Sequence, residues 1–89
     1  MSKITVILAD DHTLVRKGIK AMLESDEEIT VVAEADNGLQ ALEQSREFQP
    51  DLVVMDVRMP VMNGLDACSK LKEYAPRSKV LILSMHDSE

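Results

Sequence analysis

Four short apolar runs, rich in β-branched residues, alternate along the chain with segments whose apolar residues recur at helical spacing. Such runs are typical of parallel strands that are buried on both faces. Strands are predicted at Ile4–Ala9, Ile29–Ala35, Leu52–Asp56 and Val80–Ser84. Because a strand-helix alternation of this kind implies a parallel sheet with right-handed crossovers, the sequence predicts an α/β fold with a doubly wound parallel sheet.

Three helices are predicted between these strands. The first runs from Thr13 to about Ser25, the second follows Gly38 and ends before Pro50, and the third follows Gly64 and ends at Pro76. Glycine and proline at such positions are typical of helix boundaries. The predicted inner faces are Leu14, Val15, Ile19, Met22 and Leu23 in the first helix, Leu39, Leu42, Ser45 and Phe48 in the second, and Leu65, Cys68, Leu71 and Tyr74 in the third.

Size and composition limit the classes of protein to which the chain can belong. With 89 residues it is one domain at most, and its net charge of −6 argues against direct binding to the DNA backbone. Cys68 is the single cysteine, which excludes a disulfide framework and a zinc site built from cysteines. The first apolar run is too short for a signal peptide or a membrane span. We expect a cytoplasmic protein without a membrane partner.

Acidic residues stand at the ends of two predicted strands. Asp10 and Asp11 follow the first strand, and Asp56 ends the third. Carboxyl ends of parallel strands meet at one edge of the sheet, where ligands bind. Three like-charged groups there need a counter-ion, and magnesium suits carboxylate oxygens. Capping of the next helix or loop is the alternative role, but Ser84 at the end of the fourth strand favours a functional site.

Three segments together resemble the receiver domain of two-component response regulators. They are Leu8-Ala9-Asp10-Asp11-His12, Asp-Val-Arg-Met-Pro-Val-Met-Asn-Gly at positions 56–64, and Leu81-Ile82-Leu83-Ser84. The similarity is greatest to the NarL/FixJ branch, whose members usually carry a C-terminal LuxR-type helix-turn-helix. The resemblance implies a flavodoxin-like fold with strand order 2-1-3-4-5.

The resemblance also implies the role of each site residue. Asp56 would be the phosphoacceptor, receiving a phosphoryl group from a sensor histidine kinase or a small donor. Asp10, Asp11, Asp56 and the main-chain carbonyl of Arg58 would bind magnesium. Ser84 would hydrogen-bond the phosphoryl group and take part in switching. Such a domain accepts a phosphoryl group and is not an enzyme acting on other substrates.

A complete receiver domain, by the same resemblance, has a fourth helix, a fifth strand that ends in a lysine, and a fifth helix. We therefore expect residues 1–89 to be the N-terminal two-thirds of one receiver domain, with strand order 2-1-3-4. DNA would be bound only through an output domain outside these residues. The open edge of the fourth strand predicts a homodimer. The alternative function is an interaction or dimerisation module without phosphotransfer.

Other functional classes are disfavoured by single residues. A hydrolase that forms an aspartyl-phosphate intermediate would have a second aspartate two residues after the nucleophile, where Arg58 stands. A module that never binds phosphate would have no need of the three acids. His12 is expected to be a surface or capping residue at the start of the first helix, and Gly38 and Gly64 are expected only to open helices.

Overall fold

A computed structural model of the chain describes residues 3–59 and 61–83. Within these residues four strands alternate with three helices. The strands are β1 (Ile4–Ala9), β2 (Ile29–Ala35), β3 (Leu52–Asp56) and β4 (Lys79–Leu83), and the helices are α1 (Thr13–Glu24), α2 (Gly38–Phe48) and α3 (Gly64–Tyr74). The strands form one parallel sheet in the order β2-β1-β3-β4. The predicted fold class and strand order are confirmed.

The register of the sheet brings the carboxyl ends of β1, β3 and β4 to the same edge. Ala9 pairs with Met55, and Asp56 pairs with Leu83. Strand β4 begins one residue earlier than predicted, because Lys79 pairs with Leu52 and its N–H donates to the Asp51 carbonyl at 3.0 Å. Ser84, the predicted last residue of this strand, lies outside the described residues.

The sheet is covered on both faces, by α2 and α3 on one side and by α1 on the other. Side chains alternate along β1 and β3 between the two layers, as the pleat of a β-strand requires. The larger core cluster contains Ile7, Ala9, Ala35, Ala41, Leu42, Val53, Met55, Met59, Ala67, Leu71 and Ala75. The smaller cluster contains Val6, Leu8 and Val54, against which Ile19 and Leu23 of α1 pack.

The predicted inner faces of the helices were partly wrong. Leu14 is 86% exposed and Met22 67% exposed. Leu39, Phe48 and Leu65 are exposed as well, whereas small residues such as Ala41 and Ala67 are fully buried. In α2 and α3 these small residues belong to the larger core cluster, together with Leu42 and Leu71, and the exposed apolar side chains lie outside it. The spacing of apolar residues does not show whether the small or the large ones face the sheet, because both kinds lie within one broad apolar stripe.

Asparagines define the starts of α2 and α3. The side chain of Asn37 accepts the Gln40 N–H at 2.9 Å, and that of Asn63 accepts the Asp66 N–H at 2.9 Å. Each bond satisfies one of the free N–H groups of a first helical turn. Among the described residues, no helix has the length and apolar content that crossing a membrane requires.

Candidate functional site

The three strand-end acids lie together at the carboxyl edge of the sheet. Asp10 directly follows β1, Asp56 ends the adjacent strand β3, and these two residues are 1% and 2% exposed. One ligand atom from each of Asp10, Asp11, His12 and Asp56 can be chosen so that all lie within 4.8 Å of one another. The parallel pairing of β1 with β3 produces this cluster from residues far apart in the sequence.

The Asp10 carboxylate has one oxygen that is free to bind a ligand. Its Oδ1 accepts the His12 N–H at 2.8 Å, while its Oδ2 is buried and accepts no hydrogen bond from any described residue. A buried polar atom without a partner costs about 1–3 kcal/mol. Carboxylate oxygens are the ligands that magnesium prefers, so these residues fit a hard divalent cation.

His12 belongs to the same cluster, which the sequence did not predict. Its Nδ1 lies 3.2 Å from Asp10 Oδ1 and 3.0 Å from Asp11 Oδ1. The hydrogen bond to Asp10 and the negative charge of Asp11 raise the pKa of the imidazole above its ordinary value. The residue is exposed and is the N-cap of α1, as expected, but its side chain makes no capping hydrogen bond. Its position next to an Asp-Asp pair was the available signal.

The main chain after Asp56 folds back over the end of β3. Asp56 Oδ1 accepts the Arg58 N–H at 3.2 Å, and the Gly64 N–H donates to the Val57 carbonyl at 3.0 Å. A β-carbon on Gly64 would overlap the Asp56 carbonyl, so only glycine allows α3 to begin this close to the site. Arg58 itself is exposed, and the structure places its main chain beside the Asp56 carboxylate.

The loop between β3 and α3 is also held by α2. A β-carbon on Gly38 would overlap the main-chain carbonyl of Met62. Met59 is buried in the larger core cluster, whereas Val61 is exposed and adopts a positive φ of 69°. The sequence predicted Gly38 only as a helix-opening residue, although a glycine at the first position of both α2 and α3 was a signal of close packing. Pro60 lies outside the described residues.

Two further residues adjoin the site without belonging to the acidic cluster. Arg16 donates from Nη1 to the Asp10 main-chain carbonyl and from Nε to Glu34 Oε1 at 3.0 Å. Burial by itself raises the pKa of Glu34, but hydrogen bonds from Lys20 and Arg16 outweigh it and hold that pKa below its ordinary value. Neither residue was predicted from the sequence as part of the site. A glutamate within the apolar run of β2 was the signal for Glu34.

Ser84 is the predicted site residue about which the structure gives no information. It lies outside the described residues. Its chain neighbour Leu83 pairs with Asp56, and the Leu83 carbonyl accepts the Val57 N–H at 3.2 Å. The end of β4 is therefore next to the Asp56 backbone.

Comparison with known proteins agrees with this arrangement. The family model of the response regulator receiver domain matches residues 6–89. The chain belongs to this family. The strand order β2-β1-β3-β4 and the three intervening helices are thus those of a receiver domain.

The relatives of this receiver domain include response regulators of the NarL and DegU type. The transcriptional regulatory protein DegU of Brevibacillus brevis is 41% identical over 99% of this chain and 37% of its own length. The nitrate/nitrite response regulator protein NarL of Escherichia coli strain K12 is 39% identical over 96% of this chain and 39% of its own length. The chain therefore spans about two fifths of the length of these curated relatives.

A solved structure has the same fold. The signal receiver domain of a NarL response regulator from Mycobacterium tuberculosis is 36% identical, with a TM-score of 0.92 over 99% of this chain and 71% of that chain. The predicted resemblance to NarL-type receiver domains is confirmed.

Proposed function

We propose that this receiver domain accepts a phosphoryl group on Asp56 and thereby controls the output of a two-component response regulator. The observation that carries the proposal is the meeting of Asp56 with Asp10 and Asp11 at one edge of the sheet. A carboxylate is an established class of nucleophile for phosphoryl transfer. One Asp56 oxygen bonds to phosphorus while the bond between phosphorus and the donor atom breaks, and the electron pair of that bond leaves with the donor.

The cofactor in this proposal is magnesium, held by Asp10, Asp11, Asp56 and the main-chain carbonyl of Arg58. Support comes from the buried Asp10 Oδ2, which has no hydrogen-bond donor among the described residues. When bound, the ion supplies positive charge that offsets the charge of the incoming phosphoryl group. Ser84 is proposed to donate its hydroxyl to a phosphoryl oxygen, since it follows Leu83, the pairing partner of Asp56.

The proposed partners follow from the family and from the names of the relatives. The phosphoryl donor is a sensor histidine kinase, or a small phosphodonor in its place. DegU is named a transcriptional regulatory protein and NarL a nitrate/nitrite response regulator. We therefore propose that DNA is bound by an output domain outside residues 1–89, that these residues form the larger part of one receiver domain, and that the protein acts in the cytoplasm.

The deciding experiment is a phosphorylation assay read by mass spectrometry. The full-length protein and residues 1–89 are incubated in parallel with magnesium and acetyl phosphate. The proposal predicts the addition of one phosphoryl group to the full-length protein, abolished by Asp56→Asn and unaffected by Asp66→Asn, an exposed aspartate of α3. A mass increase that survives Asp56→Asn, or none in the full-length protein, contradicts it.

A second proposed function is self-association through β4. Among the described residues β4 pairs with β3 alone, and Leu81 on this strand is 50% exposed. Unpaired strand edges recruit other strands. We propose that residues 1–89 on their own form a homodimer in which the β4 edges of two copies meet, and this association does not require phosphotransfer.

A further inference from the structure

Arg16 connects the acidic site to the neighbouring strand β2. Its Nη1 lies 2.5 Å from the main-chain oxygen of Asp10, and its Nε lies 3.0 Å from Glu34 Oε1. The Arg16 and Glu34 side chains are only 14% and 19% exposed. The guanidinium thus donates at the same time to the turn that carries the metal-binding acids and to a carboxylate on β2.

We propose that Arg16 is a positioning residue for the carboxylate site. The hydrogen bond to the Asp10 carbonyl fixes the peptide group between Asp10 and Asp11, and this peptide sets the directions of both side chains. The Asp10 side chain is also bonded to the His12 N–H at 2.8 Å, so the turn is held from both sides. This inference rests on the proposed magnesium site, because metal affinity is one of its two measurements.

Glu34 gives the guanidinium a rigid attachment point. It lies in β2 opposite Leu8 of β1, and its main-chain carbonyl accepts a hydrogen bond from Gln44 Nε2 at 2.9 Å. Its carboxylate also lies near two lysines, with Lys20 Nζ 3.2 Å from Oε2 and Lys17 Nζ 3.7 Å from Oε1. Of these three cations, Arg16 is the one whose side chain also bonds to Asp10.

The charge of Arg16 and its position have opposite effects on metal binding. A guanidinium near the site repels a divalent cation, so electrostatics alone predicts that Arg16→Met tightens magnesium binding. A positioning role predicts that Arg16→Met weakens it, because the Asp10–Asp11 peptide is no longer held. Arg16→Lys keeps the charge but not the planar donor group that bridges two acceptors, so it should weaken binding as well.

The first measurement is the affinity for magnesium, obtained from a titration in which the amide resonances of the site loops are recorded. Mutation of residues that hold the direct metal ligands in place typically lowers metal affinity 10–100-fold. We expect a smaller effect, about three- to tenfold weaker binding, for Arg16→Met and Arg16→Lys, because Arg16 contacts the main chain of Asp10 and not its carboxylate. Lys20→Met is the matched control, because Lys20 faces the same Glu34 carboxylate without bonding to Asp10. Unchanged or tighter binding in both Arg16 variants overturns the inference.

The second measurement needs no metal. The His12 amide donates to the Asp10 carboxylate, so its hydrogen exchange reports the geometry of the turn. We expect faster exchange at His12 in both Arg16 variants, with exchange in β3 unchanged as the control for global stability. Equal exchange in all variants overturns the inference. Absence of magnesium binding by the unmodified protein would contradict the proposed metal site, while the exchange result would still decide the role of Arg16.

Discussion

Gly38 at the start of α2 is in direct contact with the main-chain carbonyl of Met62, in the loop that follows Asp56. A β-carbon at position 38 would overlap that carbonyl, so the helix and the loop can approach this closely only because the residue is glycine. The contact links the position of the site loop to a helix that contributes none of its acids.

Gly38→Ala is expected to destabilise the domain and to weaken magnesium binding. Overpacking costs about 1–3 kcal/mol, more than the gain of about 0.5–1 kcal/mol that alanine brings to a helix. Chemical denaturation and a magnesium titration measure the two effects. Gly18→Ala is the matched control, because a β-carbon on Gly18 meets nothing within 4 Å. This control should raise the free energy of unfolding, and an equal gain for Gly38→Ala would show that the contact is unimportant.

Asp56→Ala is expected to leave the fold intact and to raise, or at least preserve, its stability in metal-free buffer. Removing one of three clustered acids relieves like-charge repulsion. Loss of the hydrogen bond from the Arg58 N–H offsets this gain only in part, because that N–H is partly buried and can bond to water instead. The midpoint of thermal unfolding is the measurement. A lower midpoint than that of the unmodified protein would contradict the prediction.

Magnesium is expected to raise the free energy of unfolding of the unmodified domain as its concentration rises above Kd. A ligand that binds only the folded state adds about RT ln(1 + [L]/Kd), or about 2.7 kcal/mol at a hundredfold excess over Kd. Asp56→Ala should lose most of this stabilisation, whereas Asp66→Ala should keep it. Thermal unfolding with and without magnesium measures the difference. Equal stabilisation of the unmodified domain and the Asp56 variant would remove Asp56 from the metal site.

Lowering the pH is expected to reduce the free energy of unfolding through protonation of Glu34. The pKa of Glu34 is lower in the folded protein than its ordinary value, so the folded state binds fewer protons at this residue. Its contribution to stability is complete above the ordinary glutamate pKa of about 4.3 and is lost as the pH falls through the lowered pKa. Glu34→Gln should flatten the pH dependence of the unfolding free energy by up to about 1 kcal/mol.

Chemical denaturation at several pH values below neutrality tests this expectation. Glu43→Gln, an exposed glutamate of α2 that makes no ion pair among the described residues, is the control and should keep the pH dependence. The same slope for Glu34→Gln and the unmodified protein would argue against a role for the Glu34 ion pairs.

Leu81→Lys is expected to disrupt the proposed dimer. Leu81 is half-exposed on β4, whereas Leu83 packs against the smaller core cluster, so Leu81 is the residue that can be charged without disturbing the core. A charge beside a strand edge opposes pairing with another copy. Sedimentation of residues 1–89 at micromolar concentration should show a dimer that this substitution converts to a monomer. A folded monomer for both proteins would exclude the β4 interface.

Most of the architecture could be predicted because its signals are local. Buried parallel strands require short β-branched runs, and Gly38, Gly64 and the prolines near helix ends mark where helices begin or end. The helix faces were predicted less well, since Leu65 and Ala67 lie within the same apolar stripe and only packing buries Ala67 and leaves Leu65 exposed. The strand order came from the resemblance to receiver domains, because alternation alone implies crossovers without specifying which strands are neighbours.

The sequence by itself predicted that Asp10, Asp11 and Asp56 would lie at one edge of the sheet, because parallel strands have their carboxyl ends at the same edge. Only the tertiary structure joined Arg16 to Glu34 and placed Gly38 against Met62. These two contacts join residues from different elements. Their existence depends on distances of a few ångströms between packed helices, strands and loops, and no local pattern of residues encodes such distances.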